Sequence, residues 1–151
     1  MEPSIITLNE TDQAAKQMLQ AVVKRKAKFK KMKHNHLLAL WACMAVSSMF
    51  LLYIYYFVAK PYSYSFFAMF SAFINDPLHF FYLASSIGLY GYMLVLKKKT
   101  DKAEKEFHAL RCEIIDKSKH LWKQESAWKQ RHLVFEMMKK EFDINLYHEN
   151  K

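Results

Sequence analysis

Leu37 to Ala59 reads LLALWACMAVSSMFLLYIYYFVA, 23 residues without a charge, a proline or a glycine. About 20 residues rising ~1.5 Å each cross a ~30 Å hydrocarbon core, so this stretch is expected to be a membrane-spanning helix. It begins too late and runs too long for the apolar region of a cleaved leader, and it lacks a clean A-x-A site, so it reads as a retained span. Trp41 lies near one end and Tyr53, Tyr55 and Tyr56 near the other, as an interfacial aromatic belt would. Ala39, Cys43 and Ser47 fall four apart on one face, a small-residue spacing that lets another helix approach closely.

Immediately upstream stands KRKAKFKKMK, which supplies Lys24, Arg25, Lys26, Lys28, Lys30, Lys31 and Lys33. Adjacency to a span makes this run a topology signal and a contact for anionic lipid headgroups, rather than a nucleic-acid site. Farther back, from about Glu10 to Asn35, no glycine or proline occurs, and Ala15, Met18, Val22, Phe29 and Met32 recur near helical periodicity. A helix capped by Asn9 or Thr11 is expected there.

Downstream, Lys60-Pro61 closes the first span, since the residue before proline is biased away from helical dihedrals. Residues 62–75 are aromatic and hydroxyl-rich and suit an interfacial loop or short helix, with a re-entrant segment as the alternative. Asp76-Pro77 reads as an N-cap followed by proline at the first helical position. The second span then runs to Leu96 and ends in Lys97, Lys98 and Lys99. Ala84, Gly88 and Gly91 form a small-residue face on it, expected to pack on Ala39, Cys43 and Ser47, or else on a second copy or a partner. With lysine-rich flanks on both sides of the pair and only Lys60 between, both termini are expected to be cytoplasmic.

From Thr100 to Phe142 there is again no glycine or proline, so a long helix of about 65 Å is expected, beginning at Thr100 or Asp101 or continuing unbroken from the second span. Phe107, Ile114, Leu121, Trp128, Phe135 and Phe142 recur every seven residues, a partner-helix face of coiled-coil type. The companion row is polar at Lys117, Gln124 and Arg131, which fits a broad amphipathic helix better than a strict two-stranded coiled coil. The 10–35 helix is the natural antiparallel partner for its first half. The Trp128–Phe142 half then needs a fold-back, a second copy or another protein.

Charge distribution agrees with this division. Residues 1–36 carry eight Lys and Arg against three acids, residues 97–151 fourteen against ten, and residues 37–96 are neutral. The chain thus parses as a cytosolic basic amphipathic helix (1–36), a first span (37–59), a short external loop (60–76), a second span (77–96) and a cytosolic long helix with polar tail (97–151). The expected fold is an all-α membrane protein, a two-span transmembrane hairpin with cytosolic amphipathic helices at both ends, multi-pass in the cell membrane.

Chemistry is sparse. Walker, nucleophile-elbow and zincin motifs are absent, and both glycines lie in a span, so no catalytic residue and no cofactor is expected. Ser118, Glu125 and His132 are triad residue types, but ~10 Å separates successive members along one helix. His34 and His36 lack a carboxylate or thiolate to complete a metal set, and none is assigned. Cys43 and Cys112 match no redox spacing and read as inert. Asp76 and His79, three apart, would suit a proton-handling pair, although an N-cap aspartate at an interface requires no such role.

The layout, with LLALWACMAV (37–46) and DPLHFFYLASSIGLYGYMLVLKKK (76–99), resembles the YpbF family, uncharacterised small two-span membrane proteins of Bacillus-type bacteria. The resemblance implies a location and no mechanism. The expected function is non-enzymatic: a bilayer anchor, in contact with anionic lipids, for a cytosolic helical module that binds itself or another protein through its C-terminal helix, with no nucleic-acid partner. The alternative is a small oligomeric channel or holin-like pore.

Overall fold

The computed structural model describes residues 2–8 and 11–147, and all regular structure among them is helical. In chain order the elements are α1 (Pro3–Ile6), α2 (Gln13–Ile54), continued by a π-helical turn (Tyr55–Ala59), α3 (Phe66–Asn75), α4 (Pro77–Asp116), α5 (Ser118–Leu121) and α6 (Glu125–Phe142). Gln13–Ala59 and Pro77–Asp116 are each long and apolar enough to cross a membrane.

The basic run and the first apolar stretch are one helix. No residue between Gln13 and Ile54 breaks the ladder, and α2 passes through Lys24–Lys33 without a kink residue. Asp12 starts it, accepting the Lys16 N–H on its carbonyl at 3.0 Å, in the place expected for Thr11; Asn9 lies outside the described residues. At the far end the ladder widens, with Lys60 N–H donating to Tyr55 O at 2.9 Å. In a regular helix the Pro61 ring would meet the carbonyl of Phe57 four residues back. Contrary to expectation, Lys60 keeps helical dihedrals (φ −66°, ψ −49°).

The chain divides into two compact units, residues 1–31 with 101–151, and residues 32–100. The first has a conventional core. Ala15, Leu19 and Val22 of α2, Phe107, Leu110 and Ile114 of α4, and Val134, Phe135 and Met138 of α6 are buried together, with Ile5, Ile144 and Leu146 closing it. The i, i+4, i+7 spacing in α2, i, i+3, i+7 in α4 and i, i+1, i+4 in α6 put each trio on one helical face. Phe29 stacks on Phe107 at 6.4 Å. Arg25 donates to Glu106 O at 3.0 Å, Lys28 pairs with Glu106 at 3.3 Å, and Lys26 pairs with Asp143 at 2.8 Å.

The expected unbroken Thr100–Phe142 helix is corrected here: α4 stops at Asp116 and the chain turns back. Trp122 leaves helical dihedrals (φ −119°, ψ 65°) and Gln124 is extended before α6 begins. The turn contains neither glycine nor proline. Burial accounts for it: Trp122 is 2% exposed and meets Phe135 edge-on at 5.6 Å. A straight helix would leave the apolar row of its second half in water. Asp143 ends α6 in the left-handed region (φ 55°), which aspartate tolerates better than most residues.

Residues 32–100 are built the other way round. Only 6% of each apolar window is buried, and side chains such as Leu51 (67% exposed) and Phe67 (82%) face outward. Inward, Phe50 stacks on Tyr82 at 5.8 Å, and Ala39, Val58, His79 and Leu96 are buried. Ala39 is buried and Cys43 and Ser47 are half-buried, but Ala84, Gly88 and Gly91 are exposed. A Cβ added at either glycine would meet nothing within 4 Å, so the expected packing of that face on the first span is not formed. The second helix instead turns its bulkier row, including His79, Tyr82 and Leu96, inward, because aromatic side chains offer more contact area than glycine.

Ile114→Ala and Met138→Ala are each expected to lower unfolding free energy by about 2–5 kcal/mol, whereas Leu133→Ala, at an exposed position, changes it by under about 0.5 kcal/mol; urea titration followed by circular dichroism checks this. Lys26, through its hydrogen bond and then its charge, holds the Asp143 carboxyl below its usual range, and Lys117 does the same to Glu113. A depressed folded value gives stability that is present above the unfolded value and lost as pH falls through the folded one. Thermal midpoints should therefore drop below about pH 4, and Asp143→Asn should flatten part of that slope.

Candidate functional site

Within residues 32–100 a group of hydrogen-bonded polar side chains brings together Tyr53 and the start of α4, beside Phe73 of α3. Asp76 caps α4: its Oδ1 accepts the Leu78 N–H at 2.9 Å, and its carbonyl accepts the His79 N–H at 3.2 Å. This fulfils the N-cap reading of Asp76-Pro77. The other carboxylate oxygen accepts the Tyr53 hydroxyl at 3.4 Å, near the limit of a hydrogen bond.

One turn into α4, His79 is 2% exposed. Its ring lies flat on Phe73 of α3, with centroids 4.9 Å apart and planes 3° apart, and tilts against Tyr53 at 5.4 Å. Nδ1 is 2.8 Å from the Phe73 carbonyl oxygen. A carbonyl only accepts, so Nδ1 carries the proton and donates. Nε2 is buried without a hydrogen-bond partner. Both residues open on a cleft of about 370 Å³ that is also lined by Tyr53, Phe57, Tyr62 and Asn75.

Sequence reasoning picked out Asp76 and His79 by their spacing. It assigned Tyr53 to an aromatic belt and did not join it to them. The signal was there in the aromatic density of residues 53–82, but pairing across the chain needs the helix register. His34 is exposed and His36 half-buried, and no cluster of three metal-ligating side chains occurs among the described residues. Cys43 and Cys112 are both free and half-buried.

Of the basic residues, Lys24, Arg25, Lys28, Lys30, Lys31 and Lys33 are exposed, as are Lys97, Lys98 and Lys99, while Lys26 is half-buried in its pairing with Asp143. Of the seven-spaced row, Phe107, Ile114 and Phe135 are in the core, and Leu121 and Phe142 pack against it. Trp128 is 38% exposed, beneath the Arg131 guanidinium at 3.9 Å. The row is thus used within the chain, and no coiled coil is formed among the described residues.

Residues 18–149 match the family described as "Protein of unknown function (DUF2663)". A relative from Bacillus subtilis (strain 168), "Uncharacterized protein YpbF", is 38% identical over 141 residues, which cover 93% of this chain and 92% of that one. No solved structure matches.

Asp76→Ala should cost about 1 kcal/mol through loss of the cap, and Asp76→Asn much less, because asparagine caps equally well. Thermal melts of the two variants, compared side by side, test whether capping is the structural role of this residue.

Proposed function

This chain belongs to the DUF2663 family, and we propose that it is a non-enzymatic integral membrane protein whose residues 32–100 form a two-span hairpin anchoring a cytosolic helical module. The observation that carries this reading is the reversal along α2 and α4. The same helices bury Ala15, Leu19 and Val22, or Phe107, Leu110 and Ile114, in one unit, and leave nearly all their apolar side chains exposed or only half-buried in the other. Apolar surface in water costs about 25 cal/mol per Å², and soluble monomers rarely show contiguous patches beyond a few hundred Å². A bilayer removes that cost, and helices satisfy their own backbone there.

Orientation follows from charge. Exposed lysines flank the apolar windows at Lys30, Lys31 and Lys33 and at Lys97–Lys99, so both termini belong on the cytoplasmic side of the cell membrane. Each such cation near an anionic leaflet adds about 1 kcal/mol of attraction. The module's partner, another protein or a second copy, docks on its outward surface, where Trp128 is the residue of the seven-spaced row left exposed.

Four measurements test this. The protein should stay in the membrane pellet after alkaline carbonate extraction. In a Cys112→Ser background, an impermeant maleimide should label Tyr64→Cys in intact cells and reach His120→Cys only after permeabilisation; labelling of residue 120 in intact cells would reverse the orientation. A photo-crosslinker at position 128 should capture a discrete adduct. Dye release from reconstituted vesicles would favour a pore over an anchor.

A further inference from the structure

We propose that the cleft bounded by Tyr53, Phe57, Tyr62, Asp76 and His79 is a binding site for an organic primary ammonium group, carried either by a free amine or by an ethanolamine lipid headgroup. The inference goes beyond the anchor reading and holds whichever side of a membrane the cleft faces.

Three features converge on that chemistry. First, the carboxylate has spare capacity. Asp76 makes one good hydrogen bond to Leu78 N–H and one long one to the Tyr53 hydroxyl, and none of the ion pairs recorded among the described residues involves it. Second, the His79 ring is held by its Nδ1 donation to Phe73 O and by stacking on Phe73, which leaves Nε2 as a buried acceptor with no donor. An unmet buried acceptor costs about 1–3 kcal/mol, which an N–H donor recovers. Third, Tyr53, Phe57 and Tyr62 among the remaining lining residues are aromatic, and the faces of such rings attract cations.

Competing ligands fit less well. The start of α4 carries the equivalent of about half a positive charge, which by itself favours an anion, but the full negative charge of Asp76 outweighs it. A metal ion would require a third ligand, and no such cluster is present among the described residues. A quaternary ammonium has no N–H for Nε2. The volume, about 370 Å³, sits at the small end of ligand pockets.

The test uses the full chain in phosphatidylglycerol nanodiscs at pH 8, titrated with ethylammonium and read by the ¹⁵N shift of His79 Nε2. A saturable shift is expected, weakened about tenfold by Asp76→Asn, which keeps the helix cap. Should that variant fail to fold, Phe57→Leu, at an exposed wall position, is expected to weaken binding about threefold. Tetramethylammonium should bind more weakly than ethylammonium. Replacing part of the phosphatidylglycerol by phosphatidylethanolamine distinguishes the sources: a shift without added amine assigns the headgroup, and a shift only with free amine assigns a soluble ligand. The proposal is overturned by a shift that follows pH alone, by no shift with either source, by an unchanged midpoint in the folded variant, or by tetramethylammonium binding as tightly.

Discussion

The structure depends on two helical hydrogen-bond ladders that do not stop where the side-chain pattern changes. α2 and α4 run 42 and 40 residues. Over part of each, the apolar residues form a stripe and are buried by neighbouring helices. Over the rest they surround the helix, and most of them are exposed or half-buried. Because the backbone satisfies itself throughout, a helix can cross that change without a break, where an irregular connection would have to find partners for its polar groups. The absence of glycine and proline between Gln13 and Ile54 is what makes the continuity available.

Much of this was legible from composition. The two apolar stretches, the Asp76-Pro77 start and the pairing of the N-terminal helix with the Phe107–Ile114 face follow from spacing alone, and each is found. The turn after Asp116 was not legible as a turn. Its residues have ordinary helix propensity, and tertiary burial of Trp122 and Phe135 overrides that propensity. The polar companions Lys117 and Gln124 were the available hint, since they mark where a straight seam would have failed; Lys117 instead caps α5 and Gln124 precedes α6. The orientation of α4 was also illegible. Small-residue spacing marks a face able to approach another helix but does not say that it does, and Phe50 and Tyr53 recruit Tyr82 and His79 instead.

The candidate site shows the same limit at closer range. Two of its residues are neighbours in sequence and were visible as a pair. The third, Tyr53, and the ring that orients the histidine, Phe73, come from separate elements. What turns a routine helix cap into a site is the fixed imidazole beside it, and that rests on one backbone carbonyl of α3. Within the basic run, Arg25 and Lys28 reach Glu106 and Lys26 reaches Asp143, and of these three only Lys26 is half-buried.

The helical module is discontinuous, made of residues 1–31 and 101–151 with residues 32–100 between them. In a chain synthesised from its N-terminus, Ala15, Leu19 and Val22 emerge well before Phe107, Ile114 and Met138 exist to cover them. Loop-closure entropy grows only slowly with length, and antiparallel pairing through Phe50 and Tyr82 shortens the effective loop further. The module therefore completes last, after α6 has been made. Until then the stripe of Ala15, Leu19 and Val22 has no covering helix, and transiently exposed apolar surface of this kind is prone to associate with other chains.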